Sequence, residues 1–211
     1  MKVAVIDYGM GNLRSVSKAL EHVAPDAEVL VTSDAKVVAA ADRVVFPGQG
    51  AMPDCMREMD NRGLRPAILA AARDRPFLGI CIGLQMLFDT SEEGDTRGLG
   101  IFPGKVRRFA VSGSAQGQAT RLKVPHMGWN QVCQKIQHPL WAGVEDAARF
   151  YFVHSYYASP AAGNLIAGET DYGMFFTCAV ARDNIFAVQF HPEKSHTSGL
   201  RLLANFISWK P

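Results

Sequence analysis

The sequence predicts an α/β protein: a single flavodoxin-like domain whose sheet is mixed, mostly parallel, and covered by helices on both faces. Short apolar runs alternate with helical patterns through the first half, which is typical of parallel strands joined by crossover helices. The second half consists mainly of short runs of strand type joined by turns. The chain has 211 residues, 48% of them hydrophobic, and no linker divides it. We therefore expect residues 1–211 to form one domain with a large core.

The first half contains four predicted strands with helices between them. The strands are placed at residues 3–6, 28–31, 44–46 and 77–80. The helical patterns cover residues 13–22, after a turn at 9–12, then a region interrupted near 61–63, and a helix that begins at 84–88. The third strand is ended by Pro47 and Gly48.

The second half contains further predicted strands and one closing helix. The strands are placed at residues 104–109, 131–134, 150–153, 165–168 and 185–190, with 174–180 joining them. Residues 200–207 have the spacing of an amphipathic helix. Residues 112–118 are rich in Ser, Gly and Gln, which predicts a loose loop or hairpin tip.

Composition argues against several classes of function. Lys and Arg total 22 and Asp and Glu total 20, and this balance gives no reason to expect binding to nucleic acid or to a membrane. No apolar run approaches the ~20 residues that a membrane-spanning helix needs. The four cysteines form no CxxC pair, which disfavours a disulfide framework and a cysteine metal site. We expect a cytoplasmic protein with free thiols.

Cys81 is the strongest candidate for a reactive residue. It lies where the fourth predicted strand ends and a helix starts at once, with Gly79 and Gly83 two residues away on either side. This is the spacing of a nucleophile elbow with Cys in place of Ser, a turn that needs small flanking residues. The helix N-terminus favours a thiolate and offers the backbone N–H of Ile82 to an oxyanion. The other three cysteines are interpreted as buried structural residues: Cys55, Cys133 and Cys178.

His191 and Glu193 are the candidate base and its orienting acid. His191 ends an alternating strand, and Glu193 follows it across Pro192. A Cys nucleophile needs a base that takes its proton and later gives one to the leaving amine, and His titrates near neutrality. A carboxylate across a rigid proline can turn back to orient the imidazole. His-Pro-Glu alone is a weak motif, but with the elbow, in the order Cys, His, Glu, it indicates a catalytic triad.

The segment 47–50, Pro-Gly-Gln-Gly, ends the third predicted strand. Ligands of open parallel sheets bind beyond the carboxyl ends of the strands, so this segment is expected near Cys81. Glycines on both sides of Gln49 would let its peptide turn an N–H toward the site. From this sequence alone, the segment could equally be an ordinary turn between a strand and a helix.

The elbow with Gln85, the His-Pro-Glu motif and the Pro-Gly-x-Gly segment together resemble the class I, or triad-type, glutamine amidotransferases over nearly the whole chain. Four segments also resemble the glutaminase subunits of imidazole glycerol phosphate synthase within that family: 7–13, 123–130, 151–156 and 191–195. One departure is Gln49, where the family more often has a small apolar residue. Because the expected role belongs to the backbone N–H, we expect Gln49 to be tolerated.

The resemblance implies a glutaminase that needs no metal or organic cofactor. Cys81 would attack the side-chain amide of glutamine, His191 would protonate the leaving ammonia, and water would hydrolyse the glutamyl thioester. The N–H groups of Gln49 and Ile82 would form the oxyanion hole. The resemblance also implies a set of substrate-binding residues: Gly48, Gly50, Gln85, His154, Ser155 and Tyr156.

The resemblance further implies a heterodimer with a cyclase subunit, a (β/α)8 barrel that uses the ammonia to make imidazole glycerol phosphate and AICAR in histidine biosynthesis. The docking face should surround the mouth of the active site, because ammonia must pass directly across. The residues implied there are Asn12, His126, Met127, Trp129, Asn130 and Lys194. His126 could equally be an ordinary polar residue. The segment 47–50 is expected to be poorly organised until the partner binds, since free hydrolysis would waste nitrogen.

Other interpretations account for less of the sequence. A dinucleotide-binding domain is suggested by Gly9 and Gly11, but Arg14 stands where the third glycine should be. A Cys peptidase or a γ-glutamyl hydrolase could share the elbow, but would not account for residues 123–130. A non-catalytic docking module would need a damaged triad. Glutaminase subunits for pyridoxal phosphate or anthranilate synthesis remain alternatives within the family.

Overall fold

The computed structural model describes residues 1–110 and 123–211, which contain one large mixed sheet. Five of its strands pair in parallel, in the spatial order β2-β1-β3-β4-β14. These strands are β1 (Lys2–Ile6), β2 (Glu28–Thr32), β3 (Arg43–Gly48), β4 (Phe77–Cys81) and β14 (Ile185–Val188). Every residue of β3, β4 and β14 is buried, as expected of parallel strands that are covered on both faces.

The sheet continues beyond β14 in mainly antiparallel pairs, in the order β13-β11-β7-β5-β6. These strands are β5 (Phe88–Ser91), β6 (Thr96–Arg97), β7 (Phe102–Arg108), β11 (Tyr156–Pro160) and β13 (Phe175–Arg182). Two more strands extend it from β13: β12 (Ile166–Asp171) pairs with β13, and β9 (Cys133–Gln134) pairs with β12. A separate antiparallel pair consists of β8 (His126–Gln131) and β10 (Arg149–His154), and it lies beside the site described below.

Helices flank the sheet, which confirms the predicted fold class. They are α1 (Leu13–Val23), α2 (Ala35–Ala40), α3 (Met52–Asn61), α4 (Arg65–Asp74), α5 (Ile82–Gln85) and α6 (His196–Ser208), with 3-10 turns at Pro139–Trp141, Gly163–Leu165 and Pro192–Lys194. α1 packs against α6, and α2 packs against α4. No helix in the two described stretches is long and apolar enough to cross a membrane.

The four strands predicted in the first half are confirmed within two residues at each end. The helix predicted to begin at 84–88 is wrong beyond Gln85, because the chain turns into β5 there. The buried ring of Phe88 packs 5.8 Å from the ring of Phe102, and the backbone of residues 86–88 bonds to residues 99–102. The elements α2, β6 and β11, and β8 up to its last residue, were not predicted from the sequence. The predicted loop at 112–118 lies outside the described residues.

Candidate active site

A cavity of about 290 Å³ opens where β3, β4 and β14 end. Gly48 pairs with Cys81, and Val188 pairs with Ile80, so the three carboxyl ends lie side by side. Ten residues singled out by the sequence line this cavity: Gln49, Gly50, Cys81, Ile82, Gln85, His154, Ser155, Tyr156, His191 and Lys194. Glu93, Pro125 and Val153 complete the lining. The fold therefore gathers segments that are distant in sequence around one small cavity.

Cys81 occupies a strained turn between β4 and α5. Its backbone has φ 56° and ψ −110°, a conformation that few residues other than glycine adopt. A Cβ at Gly83 would collide with the carbonyl oxygen of Phe46, and one at Gly79 would lie 2.9 Å from the Cβ of Ala187. The strand–helix elbow predicted at Cys81 is confirmed, and larger residues on either side would break the turn.

The side chains of His191 and Glu193 form a buried hydrogen-bonded pair. Nδ1 of His191 donates to Oε1 of Glu193 at 2.8 Å, and the glutamate side chain is 1% exposed. Within residues 1–110 and 123–211, Nε2 of His191 is buried without a well-aligned hydrogen-bond partner. Burial lowers the pKa of His191, but the negative charges of Cys81 and Glu193 outweigh it and raise the pKa to about 10. The imidazolium is thus stabilised next to the sulfur.

Ser195 fixes the backbone at His191. Its Oγ donates to the carbonyl of His191 at 2.6 Å and accepts from the N–H of Tyr151 at 3.0 Å. The N–H of His191 donates in turn to the carbonyl of Tyr151 at 2.9 Å. Because Tyr151 belongs to β10, this strand holds the histidine in register with the cavity. No role for Ser195 was predicted from the sequence.

The segment 47–50 is anchored from beneath by two side chains. The Tyr8 hydroxyl donates to the carbonyl of Pro47 at 2.8 Å, and the Cys55 thiol donates to the carbonyl of Gln49 at 3.4 Å. Burial raises the pKa of Cys55 to about 11, so the thiol keeps the proton that it donates. A Cβ at Gly48 would collide with the Tyr8 hydroxyl. Cys55 is buried, as predicted, but it also holds this segment.

The residues assigned to docking divide into an exposed group and a buried one. Met127 is 62% exposed and Trp129 is 42% exposed, while Asn130 is half-buried on the same strand, β8. His126, however, is only 3% exposed and its Nδ1 lies 2.9 Å from Nε2 of His154. Most of the His126 side chain is therefore out of reach of a docked partner, although His126 lines a surface pocket together with Met127, Trp129 and Asn130. The sequence could not show this because the cross-strand partner of His126 lies 28 residues away.

Two further docking candidates lie near the start of helices. Asn12 is half-buried and caps α1, its Oδ1 accepting from the N–H of Ser15 at 3.4 Å. α1 packs against the turn Pro192–Lys194. Lys194 lines the cavity, and its Nζ lies 5.9 Å from the centre of the Tyr151 ring.

Unsatisfied polar atoms concentrate at this site. In the described stretches five buried side-chain nitrogen or oxygen atoms have no hydrogen-bond partner, and three belong to Gln85, His191 and Glu193. A buried polar atom without a partner is costly. Gln85 and His191 line the cavity, so a polar ligand there can supply their missing bonds, whereas Glu193 does not line it.

Comparison with known proteins identifies close relatives. The model of the glutamine amidotransferase class-I family matches residues 4–209. The chain is 67% identical over 209 residues to the imidazole glycerol phosphate synthase subunit HisH of Aromatoleum aromaticum, covering 99% of each chain. It is 66% identical over 209 residues to the subunit of the same name from Dechloromonas aromatica, covering 99% of this chain and 97% of the relative.

Solved structures at low identity confirm the fold alone. A crystal structure of a glutamine amidotransferase has a TM-score of 0.72 at 15% identity, covering 98% of this chain and 97% of the other. The glutaminase domain of CTPS from Trypanosoma brucei has a TM-score of 0.65 at 18% identity, covering 100% of this chain and 95% of the other.

Proposed function

The chain belongs to the class I glutamine amidotransferases, among the HisH subunits of imidazole glycerol phosphate synthase, and we propose that it hydrolyses glutamine at Cys81 and passes the ammonia to a cyclase subunit. The observation that carries the proposal is the grouping of Cys81, in its strained turn, with the paired His191 and Glu193 at one cavity. The sequence identity to HisH subunits favours a role in histidine biosynthesis over the alternatives of pyridoxal phosphate or anthranilate synthesis.

In the first half-reaction, the Cys81 sulfur attacks the side-chain amide carbon of glutamine. The imidazolium of His191 then gives its Nε2 proton to the leaving nitrogen, so that ammonia departs and a glutamyl thioester remains. Glu193 keeps the ring oriented and stabilises its positive charge throughout. The raised pKa of His191, about 10, supports a protonated ring that is ready for this step.

In the second half-reaction, a water molecule loses its proton to Nε2 of His191 and attacks the thioester carbon. The carbon–sulfur bond breaks, glutamate leaves, and Cys81 returns as a thiolate beside the imidazolium. The oxyanion of each tetrahedral intermediate is held by the backbone N–H groups of Ile82 and Gln49, both of which line the cavity. One such donor can contribute about 3 kcal/mol to lowering the barrier.

The cavity also offers groups that complement the α-amino acid end of glutamine. Oε1 of Gln85 is buried without a partner, and Gln85 lines the cavity, so this oxygen can accept a hydrogen bond from the substrate's ammonium. The carboxylate of Glu93, which the sequence did not single out, lines the same cavity and adds the opposite charge. In this proposal the backbone of Ser155 and Tyr156 faces the substrate carboxylate, and Gly50 lines the cavity with them. Gly48 does not line the cavity, and its missing side chain leaves space for the Tyr8 hydroxyl and for Ile82 instead.

The released ammonia passes across a docking face at the mouth of the cavity into a cyclase subunit, a (β/α)8 barrel that forms imidazole glycerol phosphate and AICAR. Exposed apolar residues beside the cavity support such a face, since large apolar side chains in water gain from burial. In this proposal the partner contacts Met127, Trp129, Asn130, Asn12 and Lys194, and His126 is removed from the set.

The test is glutamine hydrolysis by Cys81→Ala in complex with its synthase partner. We expect activity to fall to background while circular dichroism and the melting temperature stay near those of the wild type. Cys133→Ala is the matched control, because Cys133 is a half-buried free thiol on β9 that does not line the cavity. Substantial turnover by Cys81→Ala would overturn the proposal.

A further inference from the structure

Gln189 is a buried polar residue next to the nucleophile, and neither half-reaction involves it directly. It lies one residue beyond the end of β14, is 0% exposed, and does not line the cavity. Its backbone N–H donates to the carbonyl of Cys178 at 2.8 Å, so its position is fixed by β13. Its Nε2 lies 3.7 Å from the sulfur of Cys81.

The orientation of the Gln189 amide follows from one backbone carbonyl, that of Tyr156. This oxygen can only accept, so the atom of Gln85 that lies 3.1 Å from it must be the amide nitrogen. The same nitrogen lies 3.0 Å from an amide atom of Gln189, which must therefore be the acceptor, Oε1. The remaining amide group of Gln189 is its NH2, and this group faces Cys81.

A second series of hydrogen bonds, from Asn130 through His126 and His154, ends on the same Tyr156 carbonyl and agrees with its role as an acceptor. Nδ1 of His154 lies 2.7 Å from the same Tyr156 carbonyl and must donate to it. Burial lowers the pKa of His154 to about 3, so the ring is neutral and its Nε2 can only accept. Nδ1 of His126, at 2.9 Å, is then the donor, and Nε2 of His126 accepts from the Asn130 amide at 3.3 Å. In each hydrogen bond of this series, the donor therefore lies on the Asn130 side and the acceptor on the side of the Tyr156 carbonyl.

We propose that Gln189 is a positioning residue, which donates an N–H to the Cys81 sulfur and is oriented for this by the hydrogen-bonded chain from the Tyr156 carbonyl through Gln85. An N–H that points at sulfur stabilises the thiolate over the thiol, because a hydrogen bond to a charged form favours that form. It also restrains the sulfur against rotation out of line with the substrate amide. The inference rests on the proposed role of Cys81 as the nucleophile.

Two substitutions distinguish the effect of the Gln189 hydrogen bond to Cys81 from the effect of side-chain packing at this position. Gln189→Met preserves length and volume but removes the donor. Gln189→Glu preserves the shape and the acceptor that Gln85 uses, but replaces the donor with a carboxylate oxygen that repels a thiolate. Thr177→Val in β13 is the control for a buried polar-to-apolar change, since Thr177 is 5% exposed and does not line the cavity.

The readout is the rate at which iodoacetamide alkylates Cys81 in the full chain, measured from about pH 5 to about pH 10, a range that spans the usual thiol pKa, by mass spectrometry of the Cys81 peptide. We expect the inflection point of the curve of alkylation rate against pH to rise by about one pH unit in Gln189→Met, and by more in Gln189→Glu. The curve for Thr177→Val should match that of the wild type. In the complex, glutamine turnover should show a fall in kcat of about tenfold for Gln189→Met with little change in KM, because Gln189 does not face the cavity.

An unchanged alkylation profile in a folded Gln189→Glu protein would overturn the inference, even if Gln189→Met proved too unstable to study. So would equal shifts in the Met, Glu and Val variants, which would indicate a general packing effect. The alkylation readout does not need turnover. Activity retained in Cys81→Ala would therefore refute the proposed function separately, whatever the alkylation of Gln189 variants shows.

Discussion

Nδ1 of His191 lies 2.8 Å from Oε1 of Glu193, across Pro192, with both side chains almost wholly buried. Burial of this imidazole opposes its protonation, whereas the charges of Cys81 and Glu193 favour it, and the pKa of His191 is raised to about 10. Because the folded-state pKa exceeds the unfolded value of about 6.5, His191 contributes stability that is fully present below about pH 6.5. That contribution is lost as the pH rises through about 10.

This coupling predicts that Cys81→Ala lowers the pKa of His191. Removing the sulfur removes a negative charge from beside the ring, while the burial that disfavours the imidazolium remains. The titration can be followed by NMR of histidine labelled with 15N, with the His191→Gln variant used to assign the resonance. We expect the ring to stay protonated above about pH 8 in the wild type and to titrate at lower pH in Cys81→Ala. Identical titrations would contradict an ion pair between Cys81 and His191.

The unequal roles of His191 and Glu193 predict unequal losses of activity. Glu193→Gln leaves an amide that can still occupy the space beside Nδ1, so it weakens orientation and charge stabilisation only. His191→Ala removes the group that moves both protons. In serine proteases loss of the triad's acid costs about 10²-fold less than loss of the histidine, and we expect a similar gap in kcat here. Losses that are equal or reversed, with both proteins folded, would show that the roles are wrongly assigned.

If Cys81 serves only to generate ammonia, then ammonia from solution should bypass it. We expect the complex of Cys81→Ala with the cyclase subunit to be inactive with glutamine. The same complex should form imidazole glycerol phosphate and AICAR at a rate near that of the wild type when ammonium chloride is supplied at alkaline pH. Size-exclusion chromatography must show that the complex is intact. Failure of rescue by an intact complex would indicate that this chain takes a direct part in the second reaction.

Local constraints made part of the site predictable from the sequence. The strand β4, the strained turn at Cys81 and the glycine at 83 are specified within nine residues, so their pattern predicts their geometry. His191 could be paired with Glu193 for the same reason, since only Pro192 separates them. The general rule for parallel sheets predicted that such motifs meet beyond the carboxyl ends of the strands, whereas the order of β3, β4 and β14 came only from the fold.

The polar chain behind Cys81 could not be predicted, because its members come from several different strands and turns. His126 was assigned to the docking face or to the ordinary polar residues, yet it lies against His154 and its ring stacks 4.0 Å from the ring of Tyr172. Gln189 looked like one polar residue in an apolar run, and only the fold places its amide next to Cys81. Contacts between segments decided these positions, as they did the early end of α5.

Lys194 is the residue best placed to couple glutamine hydrolysis to binding of the partner. Lys194 lines the same cavity as Cys81 and follows Glu193 directly. In residues 1–110 and 123–211, no carboxylate lies within 4.0 Å of its Nζ. A cation in this position is suited to an acidic residue on a docked partner.

The segment 47–50 is the element that such docking could switch. Its residues Gln49 and Gly50 line the same cavity as Lys194, and its Gly48–Gln49 peptide carries the N–H needed by the oxyanion. This peptide lies between carbonyls that are anchored by Tyr8 and Cys55. Flanking glycines make it suitable as a two-state element that partner binding biases toward the active orientation.

We therefore expect glutamine hydrolysis to be low in the isolated chain, higher with the cyclase subunit, and highest when that partner holds its nucleotide ligand as well. In Lys194→Ala, the ratio of activity with the partner to activity without it should fall by about tenfold or more. The reason is that the lost contact with the partner would be worth at least about 1.4 kcal/mol of coupling free energy. The low activity of the isolated chain should persist in this variant, since the triad itself is untouched.

The matched control is Lys210→Ala, which removes the same charge beyond the far end of α6, roughly 20 Å along the helix from His196. Each variant is assayed alone, with the partner, and with partner plus ligand, at saturating partner so that weaker binding is not mistaken for weaker activation. If Lys194→Ala retained the full increase at each step, Lys194 would be an ordinary surface charge. If the isolated wild-type chain were already fully active, the two-state segment would be ruled out even though the triad would stand.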